Sequence, residues 1–256
     1  LGGIGLYPEI ESMSRYRAAT FHLLICVIVA AALFGLFWFL WYPQPLFRAL
    51  GGIDVFLMLL CIDVILGPLL TFIVFKAGKR SLKFDLATIG CVQIAALAYG
   101  VFVLFAGRPV YVAALGHRFD LIQATDIDPE ELRTSGASLP KWGPKVVGTK
   151  RATDQKERDR VMFGALLGVD YGHYPQHHAP IELMRDELLV NAQPIAKLRE
   201  INAARDADIS VWLARHAYDD NTAIFQGLKA RTEDMAVILD AKTAAVIGIA
   251  PFKPWD

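Results

Sequence analysis

The chain has 256 residues, 54% of them hydrophobic, and a mean hydropathy of +0.37. That is too apolar for an ordinary water-soluble domain, so membrane-crossing segments are expected before any motif is sought. The 26 basic and 26 acidic residues cancel, and no part of the chain carries the basic excess that nucleic-acid binding requires.

The charge is unevenly placed. Before Arg108 there are 7 basic and 5 acidic residues; from Arg108 onward there are 19 and 21. The first part therefore reads as lipid-facing and the second as water-facing. All three cysteines, Cys26, Cys61 and Cys91, fall in apolar runs, where they suit helix packing better than a disulfide framework.

Residues 1–12, LGGIGLYPEIES, have neither the basic start of a targeting signal nor helical periodicity. They read as a tail that precedes the native start, which is expected at Met13. From about Thr20 to Tyr42 runs a first apolar stretch, long enough to cross a bilayer with some tilt. It closes on Trp38, Trp41 and Tyr42, rings that suit the headgroup boundary. The connection PQPLFRALGG cannot continue the helix, and Asp54 is placed to cap the next one.

Two further spans are expected, at about 54–75 and 84–106, joined by a connector holding Lys76, Lys79, Arg80 and Lys83. Basic residues in short loops stay in the cytoplasm. Arg15 and Arg17 precede the first span with the same sign, so three spans place both basic segments inside only if the N-terminus is cytoplasmic. The water-facing domain, 107–256, then lies across the membrane, in the periplasm of a Gram-negative cell. The connector is also positioned to meet anionic lipids or a cytoplasmic assembly component.

Within the second span stands one carboxylate, Asp63, with Gly67 one turn further on and Pro68 after it. An acidic residue at mid-bilayer costs about 2.5–3.5 kcal/mol on insertion scales, so Asp63 should face protein or water rather than lipid. Pro68 removes a backbone donor and is expected to free the Val64 carbonyl and kink the span. The face of Asp63, Gly67 and Pro68 is thus a candidate docking place for another helix. The competing reading pairs Asp63 with Gln93 or Tyr99 inside the bundle, as packing glue. Asp85, beside Lys83 at the membrane border, reads as a helix cap.

Beyond Arg108 the pattern predicts one α+β domain with an antiparallel sheet of about five strands. PVYVAAL and RFDLIQA form a hairpin across Gly116-His117. A Pro- and Gly-rich loop follows, then a helix over about 153–167 with an apolar stripe of Val161, Met162, Ala165 and Leu166. Helices open at Pro180 and Pro194, and the end of the chain is a three-strand meander turning at 232–233 and 241–243.

Enzyme signatures are missing. There is no Gly-x-Ser-x-Gly elbow, and Gly78-Lys79-Arg80-Ser81 lacks the first glycine of a phosphate loop, since position 73 is Ile73. Asp63 and Asp85 lie at different depths and form no protease pair. His173, His177 and His178 are the nearest thing to a metal cluster, but no cysteine or His-Glu-x-x-His pattern accompanies them, and they flank prolines in an expected surface loop. No cofactor and no catalytic residue are expected.

WYPQPLFRALGG, then DVILGPLLTFIVFKAGKRSLKFDLATIGCVQIAALAYGVFV, then RPVYVAA, and DMAVILDAKTAAVIGI with a closing Pro-Trp, resemble the type IV pilin accessory proteins of the TfpX/TfpZ group. The resemblance runs through nearly all of the chain from Met13 and is most specific in the membrane half. It implies a non-enzymatic inner-membrane protein that supports assembly or surface display of a cognate major pilin, with inner-membrane pilus assembly components and membrane lipids as further partners. Such pilins carry an apolar N-terminal helix with one acidic residue and a free amine, for which Asp63 would be a match. A membrane-anchored sensor whose outer domain binds a ligand is the alternative, though it has little cytoplasmic material with which to signal. The topology is testable by fusing alkaline phosphatase after Asp256: the fusion is expected to be active, and activity confined to cytoplasmic reporters would reverse the orientation.

Overall fold

The computed structural model describes residues 14–255; the expectations about residues 1–12 and Met13 lie outside them. The chain divides into two units. One comprises the residues up to Trp38 with Gly52–Phe105, the other Phe39–Gly51 with Ala106–Asp256.

The first unit is helical. α1 (Arg15–Leu36) is capped by Ser14, whose side chain accepts from the Arg17 N–H, and it runs on through a π turn at Phe37–Trp41. A short helix α2 (Leu46–Ala49) belongs to the connection. The second span is α3 (Gly52–Leu60), a π segment at Cys61–Leu66, and α4 (Gly67–Val74); the third is α5 (Leu82–Ala106). Arg15–Trp41, Gly52–Val74 and Leu82–Ala106 are each long and apolar enough to cross a membrane, so the three expected spans are present. Asp54 lies in the first turn of α3 rather than ahead of it, because the helix already begins at Gly52.

Apolar side chains such as Ile28, Ile73 and Val92 point outward from these helices, as lipid-facing residues do. The middle span is the most enclosed, with 28% of its apolar window buried against 11% for each of the others. At one end of the unit Ala18, Phe75 and Leu82 pack together, and the Arg15 guanidinium lies over the Phe72 ring. The two basic segments, Arg15 with Arg17 and the 76–83 connector, therefore sit at the same end.

The second unit holds one mixed sheet. Its strands are β1 (Pro109–Ala114), β2 (Phe119–Gln123), β3 (Lys145–Thr149), β4 (His178–Ala179), β5 (Gln193–Pro194), β6 (Ala223–Lys229), β7 (Met235–Asp240) and β8 (Val246–Ala250), in the order β4-β3-β1-β2-β6-β7-β8 with β5 beside β6. The helices are α6 (Pro129–Ser135), α7 (Gln155–Leu166), α8 (Arg185–Asn191), α9 (Ile195–Ile201) and α10 (Asp206–Arg215). The hairpin β1-β2 turns at Gly116, whose φ of 89° favours glycine, and the terminal meander β6-β7-β8 is antiparallel as expected.

The sheet departs from the expected all-antiparallel form at two seams. β3 lies parallel to β1, and β6 parallel to β2. Both are returns over long connections, which parallel pairing requires. β3 itself arises inside the Pro- and Gly-rich stretch that reads as loop. β1 is buried at every position, which explains its unbroken apolar run: both faces are covered.

Two helix expectations change. α7 buries Val161 alone; Met162 and Leu166 are 57% and 79% exposed. The helix is held instead by polar contacts, with Arg160 bonded to Glu131 and Glu157 to His177. α10, a helix beyond those expected, contributes Ile209 and Leu213 to a core with Ile195, Leu198, Phe225 and Ile238. The connection also belongs to this unit: Thr232 and Glu233 N–H groups donate to the Ala49 carbonyl, and Arg48 pairs with Glu233 at 2.7 Å. Trp41 and Tyr42 are accordingly buried rather than lipid-facing.

Phe225 is 1% exposed in that core. Phe225→Ala is expected to cost about 3–5 kcal/mol of stability through the cavity it leaves, whereas Leu166→Ala should stay within about 0.5 kcal/mol. Denaturant unfolding of the detergent-solubilised protein, followed by far-UV circular dichroism, measures both.

Candidate functional site

The candidate site lies in the second span, where the helix changes pitch. The Gly67 N–H donates to the Ile62 carbonyl, one residue further back than in an α-helix. The Asp63 carbonyl consequently loses its α-helical donor. Its next possible donor along the chain, at position 68, is a proline without N–H. The Asp63 carbonyl is thus orphaned in addition to that of Val64, whose α-helical donor position is Pro68 itself.

Gln93 on α5 fills the vacancy: its Nε2 donates to the Asp63 carbonyl at 3.3 Å and lies 3.9 Å from Cys26 Sγ. Gly67 makes this reach possible. A Cβ there would stand 1.9 Å from Gln93 Nε2. Along the same pair of helices a Cβ at Gly100 would stand 2.1 Å from Leu59 Cδ2, so the antiparallel spans approach closely at two glycines, as small residues permit in membranes. The notch at Gly67 is therefore occupied from within the bundle. Tyr99, the other internal partner considered for Asp63, is 70% exposed and points elsewhere.

The Asp63 side chain, 9% exposed, borders a cleft of about 280 Å³ between α1, the second span and α5. Its walls are apolar, including Val29, Leu59 and Leu97, and its polar groups are His22, Cys26, Asp63 and Gln93. His22 shares a 2.6 Å hydrogen bond with Thr71, which is 4% exposed. The Gln93 Oε1 is buried without a hydrogen-bond partner. Gly90 also lines the cleft, and a Cβ built on it would meet nothing within 4 Å. Chemically this is an apolar slot with one carboxylate and one open acceptor. It can receive an apolar segment that carries a donor or a positive charge.

Of the sequence-stated residues, Asp63, Gly67 and Pro68 are all buried in the second span. Sequence reasoning missed Thr71 and did not connect His22 to the site. The available signal was that His22, Asp63, Thr71 and Gln93 are polar residues inside apolar runs, and such residues tend to find each other. Arg15, Arg17, Lys76, Lys79, Arg80 and Lys83 are exposed, and Asp85 accepts from Ser81 and pairs with Lys79 at 2.6 Å, holding the start of α5.

The three histidines lie in the second unit, His177 buried and His173 and His178 half-buried. His177 is 7% exposed, with its Nε2 donating to Glu157 at 3.2 Å; His178 Nε2 donates to the Gly172 carbonyl at 2.8 Å; His173 Nδ1 is 3.1 Å from the Asp170 N–H. Burial lowers the His178 pKa and keeps that ring neutral, while burial raises that of Glu157 but His177 and Arg160 outweigh it and hold the carboxyl below its usual range. Each ring serves a different local bond. Among the described residues no group of three His, Cys, Asp or Glu side chains is placed to hold a metal ion.

A family model described as "Fimbrial assembly protein FimB" matches residues 11–52. A fimbrial assembly protein of Dichelobacter nodosus, serogroups C1 and C2, is 36% identical over 113 residues, which is 43% of this chain and 86% of that relative. The chain belongs to the fimbrial assembly protein family. The serogroup I and E1 fimbrial assembly proteins of the same organism are 29% and 28% identical over 226 residues, each covering 86% of this chain and 88% of the relative. No solved structure matches the chain significantly. In this fimbrial assembly protein the matched 11–52 region covers the first span and the connection that belongs to the second unit.

The Gln93 bond is testable. Gly67→Ala displaces Gln93 and is expected to destabilise the bundle by about 0.6–2 kcal/mol, the range of single interhelical hydrogen bonds in membranes. Gly35→Ala, where a Cβ meets nothing within 4 Å, should be neutral. Unfolding of the two variants in mixed micelles distinguishes them.

Proposed function

We propose that this fimbrial assembly protein is a non-enzymatic accessory factor for a type IV pilin, of the TfpX/TfpZ kind, and that it supports the stability, assembly or surface display of its cognate major pilin at the inner membrane. The N-terminus is cytoplasmic and the second unit periplasmic in this reading. The relatives are named as fimbrial assembly proteins, which supports the assembly role. The sharing of one end by the two basic segments supports the orientation, because basic segments stay inside.

The observation that carries the partner is the cleft at Asp63. An ionisable group at this depth is costly unless paired, and the slot beside it is apolar and bounded by three spans. The apolar N-terminal helix of a pilin supplies both an apolar body and a free amine to offset the carboxylate.

A photoreactive phenylalanine analogue at Leu97, in the cleft wall, is expected to capture the pilin in cells. One at Ile73, which is 66% exposed and outside the cleft, should not. Gly90→Leu fills the cleft and Asp63→Asn removes its charge; each should reduce the Leu97 adduct severalfold. An undiminished adduct in both variants would reject the site, and no pilin adduct at any position of the span would reject the function.

A further inference from the structure

In the second unit one tryptophan is held out from the surface. Trp142 is 63% exposed within the run Lys141-Trp142-Gly143-Pro144. The run is fixed at its base, because the buried Arg108 donates from Nε and Nη2 to the Pro140 carbonyl at 3.2 and 3.0 Å. It is also fixed beside the ring. Gly143 adopts a φ of 58°, and a Cβ there would stand 3.6 Å from Pro43 Cγ and 4.0 Å from the Leu40 carbonyl oxygen.

That neighbour decides the reading. Leu40–Pro43 is where the apolar segment Arg15–Trp41 ends, so the loop stands at the level at which the chain leaves the hydrocarbon. Phe39 and Leu40 are 74% and 46% exposed there. Of the rings expected to mark the boundary, Trp41 and Tyr42 are instead buried and Trp38 is half-buried. Exposed Lys141 and Lys145 flank the tryptophan and offer charge to headgroup phosphates. Trp is the residue type whose amphipathic ring favours that boundary.

We infer that Trp142, supplied by the water-facing unit and not by a span, inserts at the membrane–water interface where the first span ends, and that this contact orients the unit on the lipid surface. Its occupant is the headgroup and upper acyl region of the bilayer. Nothing in this argument depends on the pilin.

The far end of the unit supplies a reference. The Ala49 connection docks at residues 232–233, at the β6-β7 turn, while Asn221 lies at the opposite end of the seven-residue strand β6, about 20 Å away at about 3.3 Å per residue. The test compares the intact protein with Trp142→Phe in proteoliposomes, with Trp142→Tyr as a second subtraction. The difference emission belongs to Trp142. It is expected to be blue-shifted, to lose most of its intensity when the lipids carry bromine on acyl carbons near the headgroup, and to resist aqueous iodide. Asn221→Trp in the Trp142→Phe background should show the reverse. A red-shifted, iodide-quenched difference emission would overturn the inference, and so would one insensitive to both quenchers, which would mean that protein covers the ring.

Discussion

The Asp63 carbonyl has no donor in its own helix, and the membrane half is organised around supplying one. In water a solvent molecule would serve. In hydrocarbon an unmet backbone acceptor is costly, so irregular helix is tolerated only where protein or trapped water repairs it. Here the repair comes from Gln93 on the neighbouring span. It requires Gly67, because any side chain there would occupy the space of the Gln93 amide. Proline, glycine and glutamine thus act as one device: Pro68 and the π turn open the ladder, Gly67 clears the approach, and Gln93 closes the gap.

That device fixes how the second and third spans meet, and the cleft follows from it. With Gln93 drawn toward the second span, α5 and α1 leave a slot whose border includes the Asp63 side chain. Backbone and side chain of the same residue both meet Gln93. The carbonyl helps to bind the bundle together, and the side chain also lines the slot. Internal glue and partner site are compatible readings of Asp63, since the side chain that interacts with Gln93 also borders the slot.

Much of the architecture could be read from local pattern. Span lengths, the basic connector and the hairpin at Gly116 depend on neighbouring residues, and the terminal meander declares itself by alternating apolar strands and polar turns. Other elements depended on distant partners. The stripe of Val161, Met162, Ala165 and Leu166 has the spacing of a core-facing helix, yet α7 is anchored through Glu157 and Arg160, and its apolar end is exposed. β3 has the composition of a loop and becomes a strand because β1 offers it an open edge. Trp41 and Tyr42 look like lipid anchors, but the connection folds them into the second unit.

The sequence by itself determined three membrane spans, two basic segments of like position, a water-facing α+β region and a carboxylate, glycine and proline of special interest. These follow from hydrophobic length and charge, which act locally and leave a linear record. Only the tertiary structure decided that the Asp63 carbonyl is also orphaned, that Gln93 and Gly67 meet, that His22 and Thr71 bond across two spans, and that two seams of the sheet are parallel. Those features join residues tens of positions apart, and their energies come from desolvated hydrogen bonds and close packing that exist only after the chain has brought the partners together.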